Sequence, residues 1–264
     1  MKHLMKLLTT SSGLAALMVL TNRDNLNDFK HAVLNNGKEC FAASVDSNER
    51  CKWNYDWDKR SKESSNSTRT IILIRHGQYN LDGEVDEDRY LTDLGKEQAA
   101  LTGKRLKELK LDKKITRFVM STMTRAQETG NIIYRELDNT DIPIEKSDLI
   151  REGAPIEPDP PLETWNPDPK DFFIEGARIE TGFREFMHRA DIKQEKDSVE
   201  VLVCHGNVIR YFVCRALQLS PNAWLRMSVR HGSMTVLTLR PSGRVSLKSL
   251  GDTGYMPPEK LSFQ

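Results

Sequence analysis

Apolar positions along the chain fall into short unbroken runs that alternate with stretches of helical spacing. Residues 71–74 read Ile-Ile-Leu-Ile, a run rich in β-branched side chains, as expected of a strand covered on both faces. Further on, Leu94, Ala99, Thr102, Leu106 and Leu109 recur at helical spacing behind Thr92 or Asp93 as N-cap, which predicts a crossover helix. The plan then repeats. Residues 117–120 predict a second strand and 126–137 a second helix, with Ala126, Ile133 and Leu137 on its apolar side. Residues 199–204 predict a third strand and 207–219 a third helix, while 234–239 and 245–250 flank Pro241-Ser242-Gly243 as an edge hairpin. Strands alternating with helices imply an α/β fold, with three layers (α/β/α) around a mostly parallel central sheet.

Outside residues 70–250 the pattern changes. Residues 7–22 carry no charge, are mostly apolar or small, and follow Lys2, His3 and Lys6, which predicts a membrane anchor or targeting segment within residues 1–24. That stretch is shorter than the roughly 20 residues that span a bilayer, although the flanking lysines can snorkel. Thr21-Asn22-Arg23-Asp24 turns polar where a secretory signal would carry its small-residue cleavage site, which weighs against export. Residues 25–69 are polar, without sustained periodicity, and are expected to form a tether. Within it, Trp53-Asn54-Tyr55-Asp56-Trp57-Asp58 gathers three aromatics. Such a cluster docks on another surface, or packs Trp53 and Trp57 from one side of a short helix against its own domain. The proline-rich residues 154–169 exclude a helix or central strand and predict a stiff loop beside the ligand site, with Trp165 and Phe172 shaping access. Residues 251–264 have the composition of a C-terminal tail.

Composition narrows the chemistry. With 39 Lys and Arg against 38 Asp and Glu there is no global field for nucleic acid, so an anionic ligand must be held by a local cluster of cations. Cys40, Cys51, Cys204 and Cys214 show neither disulfide-scaffold density nor paired zinc-ligand spacing, and are expected as reduced thiols.

Ligands of open α/β sheets bind beyond the carboxyl ends of the strands. Arg75 and His76 leave the first predicted strand, Arg125 follows the second with Ser121 and Thr124, and His205 and Asn207 leave the third at a helix start. Planar guanidinium groups fork onto phosphate oxygens, and a helix N-terminus offers free N–H groups, so this mouth suits a phosphate. A neutral imidazole attacks phosphorus when a carbonyl fixes one ring nitrogen as N–H and leaves the other with its lone pair. One histidine then serves as nucleophile and the other as phosphate ligand.

The motifs Ile74-Arg75-His76-Gly77, Leu91-Thr92 with Gly95 and Gln98-Ala99, Ser121 with Arg125-Ala126 and Thr129, Glu152, and Cys204-His205-Gly206 together resemble the phosphoglycerate mutase or histidine phosphatase superfamily over residues 70–250. The resemblance implies a phosphoglycerate mutase-like fold. It also implies His76 as the phosphorylated histidine, Arg75 and Arg125 as phosphate-binding arginines, His205 as the second histidine of the phosphate pocket, and Glu152 as general acid and base. Arg151-Glu152-Gly153-Ala154-Pro155, Gly176-Ala177-Arg178-Ile179-Glu180, His188-Arg189-Ala190-Asp191 and Gly251-Asp252-Thr253-Gly254-Tyr255-Met256-Pro257-Pro258 are further similar to a mitochondrial serine/threonine phosphatase branch of that superfamily. That similarity implies phosphoserine and phosphothreonine protein substrates, a single N-terminal anchor in a mitochondrial membrane (the outer one favoured), and a homo-oligomer assembled through Trp53, Trp57 and Asp58. The branch's assembly motif reads Trp-Asp-x-Asn-Trp-Asp, and here Asn54 and Asp56 stand where it has Asp and Asn.

The mechanism this implies needs no cofactor and no metal. His76 takes the phosphoryl group, Glu152 protonates the leaving alcohol, and the same carboxylate then activates water. Glu157 is the rival acid but lies among prolines. His188 is placed on an amphipathic helix marked by Ile179, Phe183, Phe186 and Ala190 and expected to be structural, while His3 and His31 fall outside the core. Cys204 is expected as a small buried residue, and Ser121 and Thr124 as N-caps. Arg230-His231-Gly232 repeats the Arg-His-Gly triplet but precedes its strand, so His231 is expected to stand apart from the mouth and to be dispensable. The alternatives are a small-molecule phosphatase or mutase of the phosphoglycerate mutase kind and a membrane-tethered scaffold.

Overall fold

The apolar run ahead of His76 lies in strand β1, Arg69–Arg75, where Ile71 and Leu73 face one side of a sheet and Ile72 and Ile74 the other, all fully buried. This computed structural model describes residues 52–111, 114–138 and 141–263, so the anchor expected at residues 1–24 lies outside the described residues. Among the described residues no helix is long and apolar enough to cross a membrane.

β1 is followed by α1 (Asp93–Glu108), β2 (Ile115–Ser121), α2 (Thr124–Glu136), β3 (Ile144–Ser147), α3 (Pro169–Phe186), β4 (Ser198–Cys204), α4 (Gly206–Ala216), β5 (Met234–Leu239) and β6 (Val245–Asp252). The six strands stand in the order β3-β2-β4-β1-β5-β6, with β1 to β4 parallel and β5 and β6 added antiparallel at one edge. The expected three-layer α/β fold with a mostly parallel sheet is what forms. Ala99 and Leu106 of α1 and Ile133 of α2 cover the face carrying Ile72 and Ile74. Ile179, Phe183 and Phe186 of α3 and Val208, Ile209 and Phe212 of α4 cover the face carrying Ile71 and Leu73.

A strand apolar on both faces does not set its own register by alternation. Ion pairing at its start supplies what alternation lacks. Arg69 donates from Nε and Nη2 to both carboxylate oxygens of Glu200 on β4, each at 2.7 Å, and from Nη1 to the His188 carbonyl at 2.6 Å, all within the buried interior. A planar fork on a desolvated carboxylate tolerates one alignment of the two strands.

Two elements depart from the expected pattern. β3 reads Ile-Glu-Lys-Ser with three of its four residues exposed, so it carries no apolar signal and forms by pairing with β2. α3 ends at Phe186, so His188 lies beyond the helix on which the spacing placed it, and its Nδ1–H donates to the Arg189 carbonyl at 2.7 Å.

The aromatic cluster of residues 53–58 is bonded to its own chain. Trp53 and Trp57 both donate from Nε1 to the Gly243 carbonyl, at 3.3 and 2.9 Å, and Asp58 accepts from the backbone and guanidinium of Arg189. Gly243 sits in the β5–β6 turn at φ +82°, and a Cβ there would fall 1.9 Å from the Tyr55 carbonyl oxygen. Gly243→Ala is therefore expected to destabilise by about 1–3 kcal/mol through the left-handed backbone and to release the tryptophans. Thermal unfolding and a red-shifted tryptophan emission check this; an unchanged melting temperature and spectrum would contradict it.

Candidate active site

β1 and β4 are parallel neighbours in register, Arg75 opposite Cys204, so the residues that follow them emerge side by side. The His76 N–H donates to the Cys204 carbonyl at 3.0 Å, and the His76 and His205 ring centroids are 5.1 Å apart. β2 ends on the other side of β4 at Ser121, whose Oγ lies 2.8 Å from His205 Nε2. Arg125, one residue into α2, then reaches back to donate from Nε to His76 Nε2 at 3.2 Å. Four of the sequence-selected groups, Arg75, His76, Arg125 and His205, thus meet where three parallel strands end.

The ring of His76 is held in one tautomer. Its Nδ1 lies 2.8 Å from the Gly77 carbonyl, which only accepts, so Nδ1 carries the proton and Nε2 keeps its lone pair toward Arg125. Burial, then the neighbouring His205 and the cations Arg125 and Arg75, push its protonation well below the ordinary histidine range. His205 is likewise held neutral, by burial and then by Arg125 and Arg75. Burial also pulls Arg75 down to about 10, so it remains a cation at neutral pH. Arg75 Nε, Arg125 Nη1 and His205 Nδ1 are buried with no hydrogen-bond partner among the described residues. Buried donors in that condition are costly unless a ligand's acceptors complete them.

Glu152 lies in the loop after β3, anchored where Arg178 Nη2 donates to its carbonyl at 3.0 Å and Asn207 Nδ2 to the Gly153 carbonyl at 3.0 Å. Burial raises its carboxyl pKa against the opposing fields of Arg125 and Arg75, whose effect on it places it at the same mouth. Glu157 is exposed. The proline-rich loop is held by aromatics: the Trp165 ring lies 5.9 Å from Phe172 and 5.5 Å from Trp224, both edge-on. Trp53, Trp57 and Asp58 bond to Gly243 and Arg189, and to no residue of the mouth.

Several groups at the mouth went unselected. Asp86 accepts from the backbone N–H and hydroxyl of Thr124 and so caps α2, whose N-cap residue is Met123; the expected capping by Ser121 or Thr124 gives way to a carboxylate from a distant loop. The Tyr79 ring lies 4.6 Å from the Arg125 guanidinium and 5.1 Å, edge-on, from His76. Burial lowers the pKa of Arg210, one turn into α4, against the opposing field of Glu152. The C-terminal tail lies across the mouth, with Arg75 Nη1 donating to the Phe263 carbonyl at 2.9 Å and to Val229 at 2.8 Å. The separation expected for His231 does not hold. β5 runs antiparallel beside β1, so the residues before β5 lie at the carboxyl end of β1, and the His231 ring sits 5.4 Å from that of His76.

The sequence pattern of the histidine phosphatase superfamily (branch 1) matches residues 71–253. The chain belongs to the histidine phosphatase superfamily. Within that superfamily, it is 56% identical over 196 residues to the mitochondrial serine/threonine-protein phosphatase PGAM5 of Rattus norvegicus, covering 74% of this chain and 67% of that one. The PGAM5 of Xenopus tropicalis is 56% identical over 202 residues, covering 76% and 71%. Among solved structures, a phosphoglycerate mutase of Plasmodium falciparum shares 32% identity at a TM-score of 0.50, over 70% of this chain and 92% of that one. Histidine phosphatase neighbours at lower identity share the fold, such as an α-ribazole-5'-P phosphatase of Escherichia coli at 20% identity and a TM-score of 0.53, over 70% and 97%.

Proposed function

We propose that this chain is a serine/threonine-protein phosphatase that works through a phosphohistidine at His76. The observation that carries the chemistry is the state of that ring: neutral, with Nδ1–H on the Gly77 carbonyl and the Nε2 lone pair turned toward Arg125. In-line attack by Nε2 breaks the phosphoester bond. Arg75 and Arg125 neutralise the equatorial oxygens as charge spreads over them, neutral His205 hydrogen-bonds to one of them, and Glu152, protonated because of its raised pKa, gives its proton to the departing serine or threonine oxygen. The resulting carboxylate removes a proton from water, which attacks the phosphohistidine and returns His76 and inorganic phosphate. The protein-substrate assignment rests on the PGAM5 relatives, whose names also carry a mitochondrial location. Placement at the outer membrane through residues 1–24 belongs to the same proposal. So does a homo-oligomer through Trp53, Trp57 and Asp58, which would exchange between copies the contacts these residues make with Gly243 and Arg189.

Product analysis separates this reading from the mutase alternative that the Plasmodium falciparum likeness keeps open. Phosphoserine and phosphothreonine peptides are expected to yield inorganic phosphate, with 3-phosphoglycerate neither hydrolysed at a comparable rate nor rearranged. Conversion of 3-phosphoglycerate to its isomer, with inert phosphopeptides, would contradict it.

A further inference from the structure

His231 is fully buried, and its Nε2 has no hydrogen-bond partner among the described residues. The backbone pins it beside the nucleophile: the Gly232 N–H donates to the Arg75 and His76 carbonyls at 3.1 and 3.2 Å, and the Arg75 N–H to Ser233 at 3.2 Å. Its other nitrogen, Nδ1, lies 2.8 Å from Ser262 Oγ in the tail. The proton on that contact can be followed outward. The Gln78 N–H donates to Gln98 Oε1 at 2.9 Å, so Gln98 presents its NH2 group to the tail, at 2.7 Å to the Lys260 carbonyl and 3.0 Å to Ser262 Oγ. Ser262 Oγ accepts from Gln98, and among the described residues His231 Nδ1 is the acceptor its own hydrogen reaches, which leaves the imidazole proton on Nε2.

Nε2–H lies across the ring from Ser262, in the buried interior, and the His231 ring is 5.4 Å from that of His76 between centroids. Burial and the fields of Arg75 and Arg125 hold the ring neutral, pulling its pKa to about 3. We propose that His231 Nε2–H is a further donor to the phosphoryl group transferred at His76, oriented by a relay from Gln98 through Ser262, so that the C-terminal tail completes the phosphate pocket. This rests on the phosphohistidine reading above and adds a binding residue to it.

The test uses the full chain, a phosphothreonine peptide, and orthovanadate as a mimic of the transferring group. A hydrogen bond to a charged phosphoryl oxygen leads us to expect His231→Leu to lower kcat/KM and vanadate affinity by about 10- to 100-fold. His231→Asn, which keeps a side-chain N–H donor, is expected to recover part of both. His231→Leu with a native circular dichroism spectrum, and with kcat/KM and vanadate affinity within twofold, would overturn the proposal. If the leucine variant does not fold, Ser262→Ala decides: weaker vanadate binding at an unchanged melting temperature supports the relay, and unchanged binding overturns it. His76→Ala run alongside separates the two levels, because an active His76→Ala enzyme removes the phosphohistidine reading, whereas an inactive one beside a fully active His231→Leu removes only this inference.

Discussion

Replacing His76 by alanine is expected to lower phosphopeptide turnover by on the order of 10⁴- to 10⁶-fold, the scale on which enzymes lose a covalent nucleophile. No neighbour can stand in for it. His205 Nε2 is engaged by Ser121 and His231 Nδ1 by Ser262, and neither ring has Arg125 donating to it as His76 does. Arg75, Arg125 and His205 remain, so the variant is expected still to bind orthovanadate. Single-turnover assays, with circular dichroism to verify the fold, measure the effect. A loss under tenfold would exclude His76 as nucleophile.

Glu152→Gln is expected to lower steady-state turnover of phosphopeptides by about 10²- to 10⁴-fold, the usual contribution of a positioned acid and base. Glutamine keeps the shape of the side chain but cannot exchange a proton. Its effect depends on the leaving group. An aryl phosphate departs without protonation, so the variant is expected to release one equivalent of phenol in a burst and then stall at hydrolysis of the phosphoenzyme. In the native enzyme the raised Glu152 pKa gives each half-reaction its own pH limb. Phosphoryl transfer from a peptide requires the acid and slows as pH rises through that pKa, while hydrolysis requires the carboxylate and accelerates. The lowered pKa of His76 keeps the nucleophile neutral throughout that range. A variant with no burst and native turnover would assign the proton transfers elsewhere, Glu157 being the obvious candidate.

The parts of this fold legible in the sequence are those whose burial is two-sided or periodic. β1 and β4 announce themselves as unbroken apolar runs, and α1 by the spacing of Ala99, Thr102 and Leu106, because both faces of the sheet are covered. β3 has nothing of the kind, since its side chains are mostly exposed and only its backbone pairs. The same distinction runs through the site. Arg75, His76, Arg125 and His205 were readable because each leaves the carboxyl end of a parallel strand or opens the helix that follows. Glu152 lies in a loop without periodicity, and only the family resemblance singled it out. Asp86, His231 and Ser262 reach the mouth through chain reversals that local spacing does not encode. For His231 the information was nevertheless within reach: an edge hairpin antiparallel to β1 must begin where β1 ends, which carries the second Arg-His-Gly triplet to the first.

The most direct measurement of the central claim is the mass and position of phosphate on Glu152→Gln after mixing with an aryl phosphate, mapped at neutral pH, where phosphohistidine survives. One phosphate per chain on His76 is expected, absent from the Glu152→Gln/His76→Ala double variant. Phosphate on His205, His231 or a hydroxyl side chain, or turnover with no phosphoenzyme at all, would contradict the account.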